Sequence, residues 1–240
     1  MNKGLNIIII GASRGIGFEV ARQLIQQGHN LFCVSRNKIA LENLEKECKS
    51  INRKAHISTL SFDISRLTDG HSEFTGIVQK EFPRVDILLN NAGLLINKNF
   101  PEFSYEEAVQ VFNVNFFSAA LVVKSLIPLM GGKAVSHIVN TGSMGGFQGS
   151  SKFPGLSYYS ASKAALASLS ECLAEELKDR NIRVNCLALG AVRTEMLEEA
   201  FPGIKAPLSA YEMAEFISNF MISGHRFFNG KVLPVSVSTP

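Results

Sequence analysis

Cysteine is scarce. The 240-residue chain has four, Cys33, Cys48, Cys172 and Cys186, far apart and without a Cys-x-x-Cys pair. In a chain this long, that spacing predicts free thiols in a reducing compartment and no disulfide framework. The five histidines form no His-Glu-x-x-His run and no close Cys/His cluster, so a zinc centre is not expected. Charge of one sign is also in short supply. Lysine and arginine exceed aspartate and glutamate by 24 − 21 = +3, too little for a nucleic-acid surface or a polybasic membrane patch. Long hydrophobic runs are missing too. Residues 7–10 are too few for a signal-peptide core, and Lys124 and Pro128 break the apolar stretch 116–130 short of the about 20 residues a membrane helix needs. The expectation is a soluble, cytoplasmic chain with no metal, nucleic-acid or membrane partner.

Apolar residues make up 46% of the chain and charged residues 19%, a balance that supports a substantial core and excludes disorder. Short apolar runs alternate with helical patterns along almost the whole length. Runs at 7–10, 31–34, 56–62, 86–89, 136–141, 183–189 and 231–235 read as strands, several of them continuous enough to be covered on both faces. Between them, Ile16, Val20, Leu24 and Ile25 form a helical stripe that stops at Gly28, and further helices are predicted at 41–48, 72–81, 158–180 and 210–221. Ser104-Tyr105-Glu106-Glu107 has the form of a capping box and should open a long helix running through Ala120 towards Leu126. No repeat or linker-like stretch interrupts the series. The pattern predicts one doubly wound α/β domain over 1–240: a mostly parallel seven-stranded sheet, helices on both faces, and a cofactor crevice where strand order reverses.

Gly11-Ala12-Ser13-Arg14-Gly15-Ile16-Gly17 lies between the first predicted strand and helix. Glycines there permit positive φ and close approach to a diphosphate, and the helix start adds free N–H donors. At the end of the second strand, where NAD-binding folds usually carry an acid for the ribose 2′-hydroxyl, this chain has Ser35-Arg36-Asn37. Arg36 and Arg14 could pair with a 2′-phosphate through their guanidinium forks, which favours NADP(H). The competing reading of each arginine is ordinary surface charge.

Tyr159-Ser160-Ala161-Ser162-Lys163 opens a predicted helix. The i, i+4 spacing puts phenol and ammonium on one face, with Cβ atoms about 5–6 Å apart. A nearby cation is expected to lower the phenol pKa and make Tyr159 a usable acid or base. Tyr158 is a decoy, since Ser162 stands four residues beyond it.

Taken in order, these motifs, with Asp63, Asn90-Asn91-Ala92-Gly93, Asn113-Val114-Asn115 and Val139-Asn140-Thr141-Gly142-Ser143, resemble the short-chain dehydrogenases/reductases over essentially the full length. The resemblance implies a Rossmann-type fold and a role for each residue. Tyr159 would protonate the carbonyl oxygen, Ser143 would hydrogen-bond it, and Lys163 would hold the nicotinamide ribose. Asn115 would interrupt its helix and hold a water linking Lys163 to solvent. Gly11, Ser13, Arg14, Gly15, Ile16 and Gly17 would form the diphosphate turn, with Ser35 and Arg36 at the 2′-phosphate. Asp63 and Ile64 would contact adenine, Asn91, Ala92 and Gly93 the adenosine ribose side, and Val192 and Thr194 the carboxamide and diphosphate. The expected substrate is a small carbonyl compound or alcohol, and the expected assembly a homodimer or homotetramer.

The chain departs from that pattern in three places. Leu189-Gly190 stands where the family commonly has Pro-Gly, which should loosen the nicotinamide side. Residues 149–155 suggest a small insertion in the substrate-facing loop. The stretch 194–210 is short for a substrate lid and predicts an open site. Three activities compete with general carbonyl reduction: a 3-oxoacyl-thioester reductase, an enoyl reductase, whose wider Tyr/Lys spacing does not match, and a catalytically silent NADP(H)-binding regulator.

Overall fold

Branched aliphatic runs flanked by glycine and asparagine turns place the strands. In a computed structural model that describes residues 4–68 and 72–237, these are β1 (Asn6–Ile10), β2 (Asn30–Ser35), β3 (Ile57–Ser61), β4 (Ile87–Asn90), β5 (Ser136–Ser143), β6 (Ile182–Leu189), two-residue β7 (Val192–Arg193) and β8 (Leu208–Ser209), and β9 (Val232–Val235). All except β7 and β8 join one sheet in the order β3-β2-β1-β4-β5-β6-β9, and every pairing in it is parallel. The seven-stranded sheet expected from the sequence is present.

The helices are α1 (Gly15–Gln26), α2 (Lys38–Ile51), α3 (Ser72–Glu81), α4 (Tyr105–Phe112), α5 (Ser118–Leu126), α6 (Ser157–Glu176), α7 (Glu195–Ala200) and α8 (Ala210–Ser223). Successive side chains of a strand point to opposite faces, so β1 feeds two cores. Ile7 and Ile9 pack with Leu24, Leu41, Leu44, Ile217 and Met221 of α1, α2 and α8. Ile8 and Ile10 pack with Phe74, Val122, Leu126 and Ala174 of α3, α5 and α6. Each such fully buried aliphatic side chain contributes about 1.5–3 kcal/mol relative to exposure.

Two helices add detail to the sequence expectation or depart from it. The long helix opens on the predicted capping box, in which Glu107 N donates to Ser104 Oγ and Ser104 N donates to Glu107 Oε2. It then widens into a π-helical turn, Asn113–Phe117, before α5 resumes. The helix expected over 158–180 stops at Glu176, and a 3-10 turn, Lys178–Arg180, leads to Asn181 at φ 62°. Asparagine is one of the few residues that adopts this left-handed conformation at low cost, and here it turns the chain directly into β6. The helical stretch Tyr105–Leu129 is long and apolar enough to cross a bilayer, but Val122, Val123 and Leu126 are buried against the sheet.

Strand order reverses between β1 and β4. Their carboxyl ends lead to Gly11 and Asn91 on either side of a crevice, and Asn91 Nδ2 donates to Gly11 O across it at 3.0 Å. Open parallel sheets bind their ligands at such a point.

Candidate active site

A cavity of about 530 Å³ occupies this crevice and runs the width of the sheet. At one end are Arg36, Asp63 and Ile64; at the other are Ser143, Tyr159 and Lys163. The glycine turn, Ser35, Asn91, Ala92, Gly93, Val192 and Thr194 line the span between them. Seventeen of the nineteen expected site residues therefore share one cavity; Gly17 and Asn115 do not reach its wall.

The turn is built from backbone. Gly11 has φ +84°, and a Cβ there would lie 2.6 Å from Ala92 N, so the turn can press against the strand-β4 loop only as glycine. Gly17, expected to touch the cofactor, is packed behind the turn, where a Cβ would fall 2.2 Å from Gly11 O. Its function is to let α1 approach the turn. Ser35 Oγ donates to Ser13 Oγ at 2.6 Å and ties β2 to the turn. Asp63 accepts from Ser65 N (3.0 Å) and Ser65 Oγ (2.7 Å). Burial opposes ionisation of this carboxyl, but the Ser65 bonds and the charges of Arg36 and Arg66 outweigh it and hold its pKa below the ordinary value.

Arg14 differs from expectation. Its guanidinium is not free at the mouth of the cavity: Nη1 and Nη2 reach Glu199 Oε1 and Oε2 of α7 at 2.6 and 3.3 Å.

At the opposite end, Tyr159 is half-buried and hydrogen-bonded to Ser143. Ser143 closes β5 and accepts from Gly145 N at 3.1 Å. The next residue, Gly146, brings the two elements together. A Cβ there would lie 2.6 Å from Ala164 N and 2.7 Å from Lys163 C, so only glycine allows the end of β5 to dock on α6 beside the Tyr–Lys turn. Lys163 is 3% exposed, and its Nζ donates to Thr141 O at 2.8 Å. Burial lowers its pKa to about 8.

The expectation that Lys163 lowers the Tyr159 pKa is corrected here. Burial pushes the phenol above its ordinary value, and the Ser143 hydrogen bond only partly offsets this. The ammonium lies 5.9 Å from the ring centroid and is directed at a carbonyl. Tyr158 is occupied elsewhere, stacked on Phe100 and edge-on to Phe103.

Asn115 interrupts its helix as expected, at the centre of the π-helical turn. Its amide is engaged on both sides: Oδ1 accepts from Leu94 N (2.7 Å), and Nδ2 donates to Leu94 O and Ser162 Oγ (2.9 Å each). It braces the β4 loop against α6 from behind the cavity wall. Position and residue type pointed to Asn115 in the sequence. Its partners Leu94 and Ser162, and the Lys163 acceptor Thr141, carried no signal of their own.

Two further expectations are overturned. Leu189 does not loosen the nicotinamide side. It stays in the ladder opposite Ser143 and Val235, is 6% exposed, and is followed by Gly190 N donating to Val235 O at 2.9 Å. Nor does the short stretch 194–210 leave the site open. Thr194 Oγ1 accepts from Leu197 N and caps α7, Asn97 Nδ2 donates to Ala200 O at 2.8 Å, and Met196, Phe201 and Ile204 line the cavity. With Leu95, Met144 and Phe153 they add apolar side chains to the cavity lining that periodicity could not reveal.

The chain is similar to known proteins in sequence and in fold. The family model described as short chain dehydrogenase matches residues 5–205. The chain is 31% identical over 238 residues to the 3-oxoacyl-[acyl-carrier-protein] reductase FabG of Chlamydia trachomatis, covering 95% of this chain and 94% of that one. It is 34% identical over 192 residues to carbonyl reductase family member 4 of Danio rerio, covering 79% and 76%. Among solved structures, a short chain dehydrogenase from Escherichia coli CFT073 complexed with NADPH superposes with a TM-score of 0.84 at 26% identity, covering 96% and 95%. A glycine turn at the strand reversal, a Ser–Tyr–Lys set across the same crevice, and matches over nearly the whole length lead to one assignment: the chain belongs to the short-chain dehydrogenases, an oxidoreductase family.

Proposed function

We propose that the chain is an NADP(H)-dependent oxidoreductase interconverting a carbonyl and an alcohol, with Tyr159 as general acid and base. One observation carries this reading: the Tyr159–Ser143 pair, with buried Lys163 one helical turn on, closes the end of a cavity whose other end holds Arg36. The cavity fits a dinucleotide. The glycine turn lines its floor, and no carboxylate follows β2 to select a 2′-hydroxyl.

Arg36, with Ser13, Ser35 and Arg14, would hold the 2′-phosphate; Asp63 and Ile64 would hold adenine; Asn91, Ala92, Gly93, Val192 and Thr194 would line the path between. When bound, the nicotinamide supplies the hydride to the carbonyl carbon in reduction and accepts it in oxidation. Ser143 donates to the substrate oxygen, where negative charge develops. Tyr159 then gives its proton to that oxygen. The raised phenol pKa keeps this proton in place across the neutral range. Lys163 would position the ribose. Asn115, through Leu94 and Ser162, keeps this set aligned. The wall of Leu95, Met144, Phe153, Met196, Phe201 and Ile204 suits a carbonyl compound with an apolar body. The FabG relative supports a 3-oxoacyl thioester as one such substrate.

All four cysteines are free thiols, which supports a reducing, cytoplasmic setting. Exposed Tyr105, Val109 and Phe117 on α4 and the π-helical turn support assembly with further copies of the chain.

Cofactor choice is tested by kcat/KM for NADPH and NADH in the native protein and in Arg36→Asp. The native protein should prefer NADPH by at least about tenfold, a difference of 1.4 kcal/mol. Arg36→Asp should erase or invert that preference. A native preference for NADH would contradict the 2′-phosphate assignment.

A further inference from the structure

Three segments that line the cavity converge on a side chain that does not line it. Asn97 Nδ2 donates to Ala200 O, the last carbonyl of the lid helix α7, at 2.8 Å. Asn97 Oδ1 lies against Gly155, which has φ +82°. A Cβ there would fall 1.9 Å from that oxygen, so only glycine lets the 149–155 loop close on Asn97. The next residue pairs with the same loop, Lys98 N donating to Gly155 O at 3.0 Å. Lys98 Nζ in turn is held by Glu107 of the α4 capping box, at 2.9 and 3.0 Å. Lining residues flank every strand of this junction: Leu95 before Asn97, Phe153 and Leu156 around Gly155, Met196 and Phe201 around Ala200.

These segments reach the reacting end of the cavity. Leu156 is the N-cap of α6, three residues before Tyr159. Met196 Cε and Lys163 Nζ lie 3.8 and 3.6 Å from one point, the position a Cβ on Gly93 would take. Phe153 lines the cavity yet is 47% exposed, apolar surface open to a ligand.

We propose that Asn97 is a specificity-determining, positioning residue: it joins the 149–155 loop to the far end of α7, fixes the spacing of the apolar side chains the two carry, and so makes the site favour carbonyl compounds with a bulky apolar body over small ones. The inference rests on the carbonyl–alcohol reading above.

Six residues of helix are too few to be stable alone, and the carbonyl at a helix end has no partner within its own helix. Asn97 supplies that partner and thereby sets where the far end of α7 rests. The near end is held independently, by Leu197 N donating to Thr194 Oγ1, so the cofactor side of the lid does not depend on Asn97. The exposed Arg14–Glu199 pair ties α7 to the glycine turn and not to the loop.

The test follows NADPH-dependent reduction of butane-2,3-dione and 1-phenylpropane-1,2-dione in the native chain, Asn97→Asp, Asn97→Ala and Asn99→Ala. Amide hydrogen exchange over residues 150–156 and 197–205 reports the two joined segments. Aspartate keeps the shape of the side chain but turns an acceptor towards Ala200 O; alanine removes the tie without adding charge. Asn99, whose amide donates to Glu102 in its own turn, is the control. The native chain should favour the phenyl dione by about tenfold or more, the discrimination an apolar pocket gives. Both Asn97 variants should cut that ratio about two- to tenfold, the effect of one hydrogen bond, through a higher KM for the phenyl dione. Their kcat, their KM for NADPH and their kinetics on butane-2,3-dione should match the native protein, while exchange rises in both segments together. Asn99→Ala should change none of these. A native preference for butane-2,3-dione, an equal loss on both diones, an unchanged ratio, or faster exchange in one segment alone overturns the proposal and leaves the oxidoreductase reading standing. A native chain that reduces neither dione also overturns it; if no other carbonyl compound is reduced, the reading above fails with it.

Discussion

Lys163 is held at a cost to the fold. Its ammonium is buried with a carbonyl as its hydrogen-bond partner, and burial lowers its pKa from 10.5 to about 8. A shift of that size corresponds to about 3 kcal/mol of unfavourable interaction while the group is charged in the folded state. The folded pKa is below the unfolded one, so the penalty is fully present below pH 8 and fades as pH rises towards 10.5. Lys163→Met should therefore abolish turnover yet stabilise the protein at pH 7, by about 1–3 kcal/mol after Thr141 O loses its donor. Chemical denaturation at pH 7 and pH 10 checks this: the gain should shrink at the higher pH. The same titration bears on activity. Reduction should hold up to about pH 8 and decline above it, as Lys163 loses its charge and then Tyr159 its proton. The Tyr–Lys spacing and Ser143 were legible as residues. The direction of the phenol shift was not, because it comes from burial by elements distant in sequence.

A buried histidine joins β5, β6 and α8 at the opposite end of the sheet. His137 is 1% exposed; its Nδ1 bonds Met221 O at 2.9 Å and its Nε2 meets Asn185 Nδ2 at 3.0 Å. Both contacts are satisfied by the neutral ring protonated on Nδ1, and a second proton on Nε2 would point at the Asn185 amide donor. Burial lowers its pKa to about 4. Below the ordinary value of 6.5 the unfolded chain takes up a proton that the folded chain resists. Stability should therefore fall by about 3 kcal/mol between pH 6.5 and pH 4. Thermal melts over that range should show this loss, and His137→Gln should flatten it.

At α4, Ser104→Ala removes half of the capping box and should cost about 1 kcal/mol, seen as a lower midpoint in urea with an unchanged slope. This cap was readable because its signal is local and four residues long. An interruption at Asn115 was expected only through the family resemblance, and its π-helical form was not expected at all, since Asn113–Phe117 has an ordinary helical composition. The end of α6 was missed because the apolar pattern continues past Glu176, while the stop is set by Asn181 turning into β6.

Across the whole molecule, the alternation of apolar strands with amphipathic helices carried the architecture. Ile7–Ile10 could be read as covered on both faces because all four residues are apolar, and both cores claim alternate members of the run. The crevice followed from the glycine turn and the strand reversal. The lid did not. α7 spans six residues, and β7 and β8 two each, too short for a period to register. Their positions depend on pairs such as Arg14–Glu199, 185 residues apart, and Asn97–Ala200, 103 apart. Contacts at such separation exist only once the sheet has brought the chain together.

The most direct test of the account follows NADPH oxidation by its absorbance, in the native protein and in Tyr159→Phe, over ketones, diketones and 3-oxoacyl thioesters. The native protein should turn over at least one apolar carbonyl compound. Tyr159→Phe should lose about 10²- to 10⁴-fold in rate, the contribution of a positioned general acid, while binding NADPH as before. Equal turnover by the two proteins would contradict the assignment of Tyr159 as the proton donor.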